Sequence, residues 1–207
     1  MRENLRRTAA LLCLAASAAV AATAAQQANV EPPNWDSAAM AQTSNQPGEG
    51  PWLDCALAVH LPASAPADMR THLEEATRLV SQVAGVNYTL SQQPSGSSVT
   101  VVPLLRPTTL LSIPGSAAEA TSTFQGNRRI MATIIIDLDA WRRLPDEGRG
   151  SQRQLVLHEL LHTAGVGHAQ DRRSTMAPDL GTAVGITPDA MRAAREGAPT
   201  DCAHEVR

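Results

Sequence analysis

The chain has 207 residues, with 17 arginines, no lysine and 20 acidic residues, for a formal charge of −3. No clustered positive charge is present, which excludes a phosphate-binding surface and leaves nucleic acid out as an expected partner. The length suits one domain with short terminal segments.

At the start, Arg2, Arg6 and Arg7 precede an apolar run over residues 9–22 that ends in small side chains. This is the plan of a secretory signal peptide over residues 1–25, cleaved near Ala24 or Ala25. The run is interrupted by Ser17 and falls short of the about 20 apolar residues that a membrane span needs. A retained anchor is the alternative; after cleavage no membrane association is expected. Cleavage removes three Arg and one Glu, so the charge moves from −3 to −5. The protein is then expected to be secreted and monomeric.

Residues 26–50 carry Gln, Asn, Pro, Ser and Gly without apolar periodicity, and read as a disordered linker or short pro-segment. Residues 51–207 form the predicted domain. Two cysteines remain in it, Cys55 near its start and Cys202 near its end. An exported chain can keep them bonded, closing a long loop; two separate buried thiols are the other reading.

Inside the domain, residues 52–61 read as a strand, and Pro62 and Pro66 mark the turn into a helix. Met69, Leu73, Ala76, Leu79 or Val80, and Val83 share one helical face, which should lie across a sheet, and Gly85 terminates it. Strands follow at 87–91 and 98–105. Residues 103–127 look irregular, with a short strand at 120–124. The run Ile134, Ile135, Ile136 predicts a strand over 130–138, buried on both faces. Ser151 with Gln154 three residues later is a capping-box pattern, so a helix begins there and runs to about Ala164, where Gly165 ends it. A last helix is announced by the cap Thr187, by Pro188 and by Gly197 beyond its end, with Ile186 placed to staple against Met191. The fold class is α+β.

Chemistry concentrates in the helix at 151–164. His158 and His162 lie four residues apart on one face, so both imidazoles can reach one ion. Zinc accepts His nitrogens and keeps a fourth position open for water in catalytic sites. Glu159 is then placed to take that water's proton. Two ligands are insufficient, and Gly165 supplies the sharp turn that carries His168 back toward the metal. The other histidines, His60, His72 and His204, read as surface or core residues. The Arg pairs 128–129, 142–143 and 172–173 read as solvated loop positions.

The pattern His158, Glu159, His162, Gly165, His168, followed by Met176 and Pro178, resembles the metzincin metalloproteases, most closely their matrixin branch. The resemblance implies a small twisted mixed sheet with a covering helix, an active-site helix, a turn placing Met176 beneath the histidines, and a C-terminal helix. It implies one catalytic Zn2+ on His158, His162 and His168, with Glu159 as general base, acting on peptide or protein substrates. It also implies that residues 120–124 form the edge strand for an extended peptide, and that residues 177–180 wall the pocket beyond the cleaved bond. Ala169 departs from the Ser usual in matrixins. Structural zinc and calcium ligands have no counterparts, and the sole tyrosine, Tyr88, is remote from the motif. No Cys lies in residues 26–50, so latency through a pro-segment thiolate is excluded. Two rival readings are a catalytically silent zinc-binding module and a zinc peptidoglycan hydrolase; the latter usually draws its ligands from dispersed strands.

Overall fold

The computed structural model describes residues 42–44, 50–93, 96–105, 111, 116–148, 150–178 and 185–204. The expected signal peptide and nearly all of the expected linker lie outside the described residues, as do Asp179 and Leu180 of the expected pocket wall.

The chain forms an α+β domain. Its strands are β1 (Gln42–Ser44), β2 (Ala56–His60), β3 (Asn87–Ser91), β4 (Ser98–Leu104), β5 (Ala118–Gln125) and β6 (Arg128–Asp137). Its helices are α1 (Ala67–Ala84), the short α2 (Leu138–Trp141), α3 (Gln152–Thr163) and α4 (Pro188–Glu196), with a 3-10 turn at Thr200–His204. Strands β2 to β6 make a five-stranded mixed sheet, and the short β1 joins it as a sixth, in the order β1-β5-β6-β4-β2-β3. β2 pairs parallel with β3 and β4, and β4 parallel with β6, whereas β5 and β6 form an antiparallel hairpin.

Local signals placed most elements. α1 buries Met69, Leu73, Ala76 and Val80 and stops at Gly85, whose φ of 68° is the left-handed conformation glycine adopts without a Cβ penalty. It packs against β3 and against both α3 and α4. Thr187 caps α4 through the Ala190 N–H, with Pro188 in its first turn. A disulfide joins Cys55 to Cys202, their Cα atoms 5.3 Å apart across 147 residues of sequence. Among the described residues no helix is long and apolar enough to cross a membrane.

Four expectations are corrected. First, β5 spans eight residues rather than five, and it is not a free edge: Gln42, Thr43 and Ser44 pair antiparallel with Phe124, Thr123 and Ser122. Those three residues fall within the stretch read as a linker, whose polar composition hid their strand. Second, β6 is not buried on both faces. Ala132, Ile134 and Ile136 are buried and the intervening side chains half-exposed, because helices cover only one side.

Third, Arg129 is not solvated but 1% exposed. The register of the β5–β6 hairpin explains why: Thr123 faces Met131 and Phe124 faces Arg129, so Ile130 is one extra residue on β6. This bulge shifts the side-chain alternation and turns Arg129 to the buried face. Fourth, the capping box at α3 is displaced by one residue. The Ser151 hydroxyl accepts from the Gln154 N–H as expected, but the Gln154 side chain accepts from Gly150 rather than Ser151.

Candidate metal centre

The side chains of His158, His162 and His168 converge, each offering a ring nitrogen within 4.8 Å of the other two. The three are therefore close enough to bind one metal ion. His158 and Glu159 are buried on α3, His162 is half-buried, and His168 is exposed at the mouth. Gly165 makes this possible: with φ at 92° it turns the chain just past α3, which returns through Val166 and Gly167 to His168. His168 also borders a hollow of about 590 Å³, lined by Gly167, Met176, Thr187 and Pro188 among others.

Backbone carbonyls fix the rings. His158 Nδ1 lies 2.7 Å from the Thr175 carbonyl oxygen, and His162 Nδ1 lies 2.7 Å from that of Val166. A carbonyl only accepts, so each Nδ1 is the protonated nitrogen that donates, and each Nε2 is left with its lone pair. Those Nε2 atoms face one another: His162 Nε2 is 3.0 Å from that of His158 and 3.3 Å from that of His168. The lone pairs of His158 and His162, brought so close, repel unless a cation sits between them. Tetrahedral bonds of about 2.0–2.1 Å to zinc put ligand nitrogens about 3.3–3.4 Å apart, so the donor set fits such an ion with little adjustment. Bonds from Nδ1 to carbonyls are also the arrangement that orients metal-binding histidines and sets their tautomer.

The segment after His168 closes the site from behind. Ser174 to Ala177 form a tight turn, with the Ala177 N–H donating to the Ser174 carbonyl at 3.0 Å and the Met176 N–H to the Ser174 hydroxyl at 3.1 Å. Met176 is fully buried in it, whereas Pro178 is exposed. The turn holds two ligand-bearing segments at once. Its Thr175 carbonyl receives His158, and its Met176 carbonyl accepts from the Ala169 N–H at 2.8 Å, next to His168.

Burial governs the electrostatics. It holds His158 down at about 4 and His162 at about 3, against the carbonyl bonds that favour their charged forms, and it lowers His168 as well. All three are neutral imidazoles at pH 7, the form that ligates. Glu159 moves the other way: burial first, then the nearby Glu119, push its carboxyl up to about 8, opposed by a backbone hydrogen bond from Ala120. Its Oε2 atom is buried with no hydrogen-bond partner among the described residues.

No protein-family model matches the chain, and no characterised protein is significantly similar to it in sequence. The motif therefore stands on its own geometry. The three histidines singled out as ligands meet at one place; Glu159 follows His158 on α3, and the Met176 turn touches the site through Thr175. The remaining histidines lie elsewhere: His72 is buried with its Nε2 on Asp146 at 2.6 Å, and His60 belongs to β2. Sequence reasoning missed the carbonyls of Thr175 and Val166, the Ala120 N–H, and Glu119. Backbone groups carry no side-chain signature, and Glu119 lies 40 residues before Glu159; only the position of Thr175 beside Met176 hinted at a role.

Proposed function

We propose that the chain is an exported zinc-dependent endopeptidase of the metzincin type, hydrolysing peptide bonds with Glu159 as general base. One observation carries this reading: three neutral imidazoles bring their Nε2 atoms together, those of His158 and His162 as facing lone pairs, and the residue after His158 on α3 is a buried carboxyl with an unpartnered oxygen. A purely structural ion would have no use for that carboxyl. The Cys55–Cys202 disulfide supports export to an oxidising compartment.

His158, His162 and His168 would hold the ion. Zinc bound there would supply Lewis acidity, lowering the pKa of a water toward about 7 and polarising a carbonyl oxygen. Glu159 Oε2 takes the proton of the attacking water and returns it to the leaving amine. The Ala120 N–H orients this carboxylate from β5. Burial favours the protonated form in the cation-free chain, and the carboxyl returns toward its charged, basic form once positive charge is held at the neighbouring imidazoles. Met176 and its turn keep the ligands in place through Thr175 and Ala169. An extended peptide would pair with β5 along residues 118–121, because residues 122–124 are already paired with Gln42–Ser44.

Incubating the full chain and Glu159→Ala with a panel of denatured proteins, with and without a zinc chelator, tests the reading. The wild type is expected to cleave, to stop on chelation and to recover with zinc. Glu159→Ala should retain one zinc while losing about 10²–10⁴ in rate, the usual contribution of a general acid–base group. A wild-type chain that holds zinc and leaves the whole panel intact would replace the enzyme with a binding module.

A further inference from the structure

The C-terminal end of α3 is buried under a cation that the metal centre does not use. Arg129 is 1% exposed, and no carboxylate pairs with it among the described residues. A buried charge without an opposite partner is costly unless polar groups replace water around it. Around Arg129 lie one carbonyl and two aromatic faces, while its Nε is buried without a hydrogen-bond partner among the described residues. Its Nη1 donates to the Thr163 carbonyl, and its guanidinium carbon lies 5.4 Å from the ring centres of both Trp52 and Phe124. The same carbonyl accepts from Trp52 Nε1 at 2.8 Å.

Thr163 is the last residue of α3, where unpaired carbonyls concentrate partial negative charge and a cation is favoured. It follows His162 directly and precedes the Gly165 turn by two residues. The guanidinium reaches that turn: a Cβ built on Gly165 would lie 3.7 Å from Arg129 Nη2 and 3.8 Å from Nη1. The chain then passes through Val166, whose carbonyl receives His162, to His168. His168 is the exposed ligand and the one not carried by a helix, so its position depends on the turn.

We propose that Arg129 is a positioning residue for the metal centre: its buried guanidinium caps α3 at Thr163 and sets the Gly165 turn that delivers His168. The inference rests on the metal-site reading above. It concerns only how the third ligand is held, and not what reaction follows.

The test uses Co2+ alone as the probe, read by its binding isotherm and visible absorption, on the full chain. Arg129→Met is expected to weaken Co2+ binding about 10–100-fold, the usual cost of removing a group that orients a ligand, and to shift the spectrum toward that of His168→Ala. Added to His168→Ala, it should cost nothing further, because both changes remove the same ligand. If Arg129→Met does not fold, Arg129→Gln, which keeps an N–H donor but no charge, enters the same cycle. Wild-type affinity in the arginine variant, or an equal fold-loss with and without His168, overturns the proposal. A wild type that binds Co2+ but cleaves no peptide defeats the peptidase reading and leaves this inference standing; a wild type that binds no Co2+ defeats the metal site beneath both.

Discussion

The imidazole face of α3 and its C-terminal end lie within one turn of each other and meet opposite electrical conditions. At the face, the neutral rings of His158 and His162 turn their lone pairs toward one another, with no cation of the protein between them. At the end, the Thr163 carbonyl meets Arg129 and Trp52, and the fold supplies its own positive charge. Both places bury polar groups, but only one holds a counter-charge supplied by the fold, although Arg129 Nε there has no hydrogen-bond partner among the described residues. The difference separates a binding site from a structural cap: a buried set of like donors lacking their counter-charge costs stability unless a ligand arrives, whereas a set that includes its counter-charge holds the helix in any condition.

Removing members of each cluster should therefore have crossed effects. His162→Ala takes away the central imidazole, whose Nε2 faces both of the others. Zinc affinity measured by calorimetry should fall by more than about 100-fold, beyond the 10–100-fold typical of groups that merely support a ligand. The thermal midpoint of the metal-free chain should hold or rise, because a lone-pair repulsion is relieved. A clear drop in that midpoint would mean that the imidazole face is structural after all.

Gly197→Ala attacks the other end. A Cβ there would lie 2.2 Å from the Ala164 carbonyl oxygen, far inside contact distance, and the neighbouring Trp52 N–H donates to the Gly197 carbonyl at 3.2 Å. Gly197 has φ at −77°, so the obstacle is space and not backbone strain. Overpacking of this kind costs about 1–3 kcal/mol, expected as a lowered denaturation midpoint of the metal-free chain. A neutral outcome would show that α4 can move off α3 freely, and the contrast between a rigid end and an open face would weaken.

What the sequence disclosed and what it hid follow the same division. The imidazole face is encoded within eleven residues, by helical spacing and one glycine, and the helix carrying two of the rings announces itself with the local cap Ser151. The C-terminal end is assembled from distant segments. Trp52 meets Thr163 across 111 residues and Arg129 meets it across 34, and no local pattern reports such pairings. Arg129 was also concealed by its neighbour Arg128 and by the bulge at Ile130, since strict alternation from Ile134 would turn position 129 to the other face. β1 escaped for a related reason: three polar residues gain a strand only because β5 offers them unpaired backbone.

Acidity separates the two clusters by the smallest effect. In the metal-free chain His158 and His162 titrate at about 4 and 3 when folded, against 6.5 when exposed. Between those values the unfolded chain takes up protons that the folded chain refuses, so the imidazole contribution to stability is lost as pH falls below 6.5. Glu159 acts in reverse, holding at about 8 in the fold a proton that it releases at 4.5 when exposed. Its contribution is lost as pH rises from 4.5 to 8. Below 6.5 two imidazoles outweigh one carboxyl; above 6.5 the carboxyl acts alone. Unfolding free energies measured in the presence of chelator should therefore peak near pH 6.5 and decline by on the order of 1–2 kcal/mol toward pH 8. Glu159→Gln removes the group responsible and should flatten the profile from 6.5 to 8, whereas Arg129→Met should lower it at every pH in that range without changing its slope. Parallel curves for the wild type and Glu159→Gln above pH 6.5 would show that the carboxyl is not held protonated by its surroundings, and that the imidazole face is better solvated than its burial implies.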